Sequence, residues 1–99
     1  MIRPVHRSLV ERRLAEVSGR LRALREELRV IDEQLVHLGD DADDARLRAL
    51  VSETPLADRE HREARRHADA MARRRAEVVE SISVLEIRSD ELLDRLLAG

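Results

Sequence analysis

The sequence predicts an all-α protein, an antiparallel two-helix coiled-coil hairpin with a short helix in its turn, dimerising into a four-helix bundle. Three observations carry that expectation. Val10, Leu14, Val17, Leu21, Leu24, Leu28, Ile31, Leu35 and Leu38 follow one another in alternating steps of four and three. A second series does the same: Ala57, His61, Ala64, Ala68, Met71, Arg75, Val78, Ile82, Leu85, Ser89, Leu92 and Leu96. The chain has 99 residues, 40% of them charged, and contains no Phe, Trp or Tyr. Such steps place one side chain per turn on a single helical stripe, whereas a strand needs alternation at two. A chain this short and lacking aromatics has little to fill a thick globular core, so paired helices suit it and a sandwich or barrel does not.

Residues 1–7 read as an arm held extended by Pro4. Ser8 and Glu11 have the spacing of a capping box, which predicts a first helix over 8–38. Gly39 reads as its left-handed C-terminal residue. The segment 39–54 is expected to be the turn, in which four Asp precede a short amphipathic helix whose Leu47, Leu50 and Val51 fold back onto Val30 and Val36. Thr54 and Pro55 then supply the N-cap and first residue of a second helix over 55–97. The span 8–97 is thereby read as one hairpin domain. An apolar period of 3.5 favours left-handed supercoiling of the two helices.

The second half of that helix is apolar on more than one stripe. Val78, Val79, Ile82, Leu85, Leu92, Leu93, Leu96 and Leu97 exceed what one partner helix covers, so they are the expected interface of a homodimer. Arg75 interrupts the apolar seam, and with Arg66, Arg73 and Arg74 it forms a candidate basic belt. Arg75 alone is expected to cross the core and pair with a first-helix carboxylate such as Glu16.

Chemistry finds little support in these residues. There is no Cys for a thiolate nucleophile, a zinc site or a disulfide. The Asp run fails the pattern of a calcium loop, with Ala45 at its fifth position, Arg46 at its sixth and Ser52 at its twelfth. Of the four His (His6, His37, His61 and His67), His61 with Asp58 and His67 with Glu63 could share a helix face, but nothing completes a bundle-type di-metal site and no metal is expected. No enzyme and no cofactor is therefore expected. A net charge of −2 and the lack of stacking aromatics disfavour nucleic acid, leaving the Arg belt as the third functional reading. No run of some 18 apolar residues exists to span a membrane, and the N-terminus has no apolar leader core, so the expected location is cytoplasmic. All 19 basic residues being Arg, with no Lys or Asn, predicts a GC-rich bacterial coding sequence.

Asp40, Asp43 and Ala45 spell D-x-x-D-x-A, which resembles the tip motif of the coiled-coil hairpin in the DksA family. The resemblance implies an acidic tip, formed here by Asp40, Asp41, Asp43, Asp44 and Ala45, entering the secondary channel of bacterial RNA polymerase as Gre-type factors do. It implies no more than that, because the family's zinc-binding globular part requires the Cys that this chain lacks. The leading expectation is thus a non-enzymatic interaction or regulatory module whose partners are itself and a further, unidentified protein. A polymerase-binding transcription regulator is the alternative.

Overall fold

The structure, a computed structural model, describes residues 4–98. Two helices account for it: α1 is Pro4–Ser52 and α2 is Pro55–Ala98, with no strand among the described residues. They form the expected antiparallel hairpin. Its contacts group into two compact units, one of Met1–Glu27 with Val78–Gly99 and the other of Leu28–Glu77.

The first helix departs from expectation at both ends. It starts at Pro4, whose fixed φ and missing amide suit the first turn of a helix. Most of the predicted arm is therefore helical, and residues 1–3 lie outside the described residues. Ser8 is an exposed residue within the helix, not its cap, and Glu11 accepts a hydrogen bond from Arg7 Nε at 3.0 Å. The i,i+4 ion pair has taken the carboxylate that a capping box would have used.

Gly39 does not end α1, which continues unbroken through the expected turn and its short helix. No glycine among the described residues has a positive φ. The reason lies in the seam, which runs on past Leu38 to Ala42, Ala45 and Ala49 in the same steps of four and three. Ala45 and Ala49 are 2% and 9% exposed, so the continuation buries small side chains against α2. With that stripe facing inward, Leu47, Leu50 and Val51 point outward at 62%, 63% and 84% exposure and do not fold onto Val30 or Val36.

The left-handed cap expected at Gly39 occurs at Glu53, with a φ of 52°. Its amide donates to the Ala49 carbonyl at 3.1 Å, the single bond of an αL C-cap. The predicted start of α2 holds: the Ala57 amide donates to Thr54 Oγ1 at 3.2 Å and Pro55 opens the helix. The turn is thus only Glu53 and Thr54.

Within the unit of residues 28–77, Ile31, Ala45, Ala49 and Ala57 are buried, and Leu35, Leu38, His61, Ala64, Ala68 and Met71 are half-buried. In the unit of residues 1–27 and 78–99, Val10, Leu24, Val78 and Leu92 lose 98% or more of their exposure. Each such side chain contributes about 1.5–3 kcal/mol relative to remaining in water. No polar or charged side chain is buried among the described residues. Every described seam position of both series is buried or half-buried except Arg75.

Candidate functional site

The acidic cluster does not form the tip. Asp40, Asp41, Asp43 and Asp44 are exposed on α1 and Ala45 is buried in the seam, whereas the chain reverses at Glu53 and Thr54. A tip-binding reading needs carboxylates at the reversal, and Glu53 alone stands there. Three exposed apolar residues flank it, Leu50, Val51 and Leu56, at 63%, 84% and 62%. The signal that would have revealed them was the seam itself, since carrying its steps past Leu38 puts Leu50 and Val51 on the outer face.

The basic belt is exposed but partly neutralised. Arg74 Nη1 meets Glu77 Oε2 at 3.3 Å, and Arg75 Nε donates to Asp32 Oδ1 at 2.6 Å. The Asp32 hydrogen bond, aided by that carboxylate's charge, raises the Arg75 pKa. The Arg75 side chain remains 44% exposed, so it lies at the edge of the seam and does not cross a dry core. Its partner is Asp32, not Glu16, for a geometric reason. Residues equidistant from a turn face each other in a hairpin, and Asp32 and Arg75 stand 21 positions from Glu53 and Thr54 respectively. A turn centred near residue 46 would have brought Arg75 opposite the neighbourhood of Glu16.

The expected dimer interface divides in two. Val78, Ile82 and Leu92 are buried and Leu85 and Leu96 half-buried against α1, so the hairpin itself consumes them. Val79, Leu93 and Leu97 remain outside at 40%, 40% and 81% exposure. Arg25 of α1 and Glu86 of α2 pair beside this region at 3.8 Å.

His37 and His67, on different helices, line one shallow groove of about 540 Å³ with Gln34, Leu38, Ala70, Met71 and Arg74. The histidine–carboxylate pairs weighed from the sequence, Asp58 with His61 and Glu63 with His67, gain no third ligand. Among the described residues no group of three or more His, Asp or Glu is placed to hold a metal ion. No described helix is long and apolar enough to cross a membrane.

Between the charged residues the surface also carries large apolar side chains. Among the described residues twelve Leu, Val and Ile side chains are exposed: Leu9, Val30, Val36, Leu47, Leu50, Val51, Leu56, Val79, Val84, Ile87, Leu93 and Leu97. Comparison of the chain with protein-family models, with curated proteins and with solved structures finds no match in any of the three.

Proposed function

We propose that this chain is a non-enzymatic helical-hairpin interaction module that works as a homodimer or larger self-assembly. One observation carries the reading: the twelve large apolar side chains left exposed when each seam is satisfied by the other helix. Single exposed Leu or Val residues are ordinary on a soluble protein, but here, among the described residues, twelve stand exposed beside seven buried and seven half-buried Val, Leu and Ile side chains. A two-helix layer covers one stripe of each helix, and the remaining faces gain most by meeting another helical surface.

Sedimentation velocity between about 1 and 100 μM tests this, because that range corresponds to association free energies of about −8 to −5.5 kcal/mol. A dimer or higher species is expected throughout most of it. A monomer of full helicity at the highest concentration contradicts self-assembly.

A further inference from the structure

Self-assembly leaves open which faces meet and in which direction. We propose, resting on that reading, that two copies stack antiparallel through one face of the unit Leu28–Glu77, about a two-fold axis at Asp41 and His67.

The groove of about 540 Å³ defines that face. Its Gln34, His37, His67, Ala70 and Arg74 each immediately precede a seam position: Leu35, Leu38, Ala68, Met71 and Arg75. The groove on the opposite face, of about 240 Å³, is lined by residues that follow one: Gly39, Asp43, Arg46, Arg65 and Asp69. Asp41, Asp44 and Arg48 of α1 and Glu60 and Glu63 of α2 also precede seam positions, so they continue the first face toward the turn. All of them are exposed.

The first face is segregated by charge. At the groove its polar groups, Gln34, His37, His67 and Arg74, can all donate hydrogen bonds and none is a carboxylate. Nearer the turn stand the carboxylates Asp41, Asp44, Glu60 and Glu63, of which Asp44 and Glu63 are level, each nine positions from Glu53 or Thr54. The opposite groove mixes Asp43 and Asp69 with Arg46 and Arg65, so it specifies no direction. The hairpin also leaves the four carboxylates unused, since among the described residues none of them forms an ion pair. Arg74 holds Glu77 in an exposed pair, and its five-donor guanidinium can take a second carboxylate.

Turning one copy end for end brings carboxylates over donors. Along α1, Val30 falls on Val51, Gln34 on Arg48 and His37 on Asp44; along α2, Glu60 falls on Arg74 and Glu63 on Ala70. The half-buried Leu38 and Met71 of the groove are covered in the same step. Two contacts are less favourable: Glu77 falls on Leu56, and Asp41 meets its own copy at the axis, where the two His67 imidazoles can donate to the carboxylates. An isologous contact repeats every other pair twice. Stacking the same faces in one direction would instead lay α1 on α2 and set Asp44 on Glu63, acid on acid.

Charge exchange tests the register. One variant carries Asp44→Arg and Glu60→Arg, the other His37→Glu and Arg74→Glu; circular dichroism checks that both remain helical, as exposed substitutions should. Each alone is expected to self-associate at least about tenfold more weakly than the parent by sedimentation, since its facing groups now repel. An equimolar mixture is expected to regain parental affinity as a heterodimer, because both symmetry-related sets of contacts are then complementary. The chain has no Cys, so single cysteines locate the axis independently. Asp41→Cys is expected to give a disulfide-linked dimer under mild oxidation, and Arg46→Cys, on the opposite face, is not. If a helical charge variant self-associates as strongly as the parent, the mixture shows no rescue, or Asp41→Cys cross-links no better than Arg46→Cys, the register is overturned while self-assembly stands. If the parent itself is monomeric, both the register and the self-assembly reading fall.

Discussion

Replacing Gly39 by Ala separates a continuous first helix from one that stops at residue 38 by the sign of its effect. In the structure Gly39 lies within α1 and its φ is not positive. A Cβ built there meets nothing within 4 Å, so the methyl group clashes with neither helix. Ala then removes the excess backbone entropy that Gly loses on folding, worth about 0.5–1 kcal/mol in a helix interior. For a domain of this size 1 kcal/mol moves the melting temperature by about 4–8 °C. The expected result is therefore a rise of about 2–8 °C by circular dichroism at fixed protein concentration. Were Gly39 the left-handed end of a shorter helix, Ala would be strained there and the melting temperature would fall. A fall, or no change, refutes the continuity of α1 and the two-residue turn deduced from it.

Other consequences are equally local. Thr54→Ala removes the acceptor of the Ala57 amide and should cost about 1 kcal/mol in urea unfolding, with Thr54→Ser restoring most of it. Leu92 is fully buried, so Leu92→Ala should cost about 2–4 kcal/mol, whereas Leu56→Ala at 62% exposure should leave hairpin stability nearly unchanged. Arg75→Leu should leave the neutral-pH melting temperature close to the parent's, because it gives up a half-exposed ion pair and relieves no burial. The raised Arg75 pKa adds stability that is complete at and below neutral pH and is lost only as the pH climbs through strongly alkaline values. A difference between Arg75→Leu and the parent should accordingly not vary between about pH 6 and 9.

The fold was legible because periodicity is a property of the whole helix. Both seams could be written out residue by residue, and the structure buries or half-buries every described member except Arg75. The turn was misplaced because local chemistry pointed the wrong way. Gly39 followed by Asp residues resembles a helix stop, but Gly only permits a left-handed conformation and does not impose it. The stripe of half-buried Ala42 with buried Ala45 and Ala49 decided the matter, and small residues carry little weight in a hydrophobic pattern. Glu53 was invisible for the converse reason, since a left-handed φ at Glu is uncommon. The other site assignments inherited that displacement. Asp40 to Asp44 left the tip, Arg75 moved from Glu16 to Asp32, and Leu50 and Val51 became exposed. For Val78, Ile82 and Leu92 the sequence marks surplus apolar surface but cannot say which stripe the intramolecular partner takes.

Melting at several protein concentrations tests self-assembly most directly, because only a state bound to another copy gains stability from mass action. Raising the concentration about 100-fold should add about 2.7 kcal/mol to a dimer that unfolds to separate chains, seen as a clear rise in melting temperature. A melting temperature that stays constant over that range contradicts the claim that the exposed apolar faces of this hairpin are covered by a second copy.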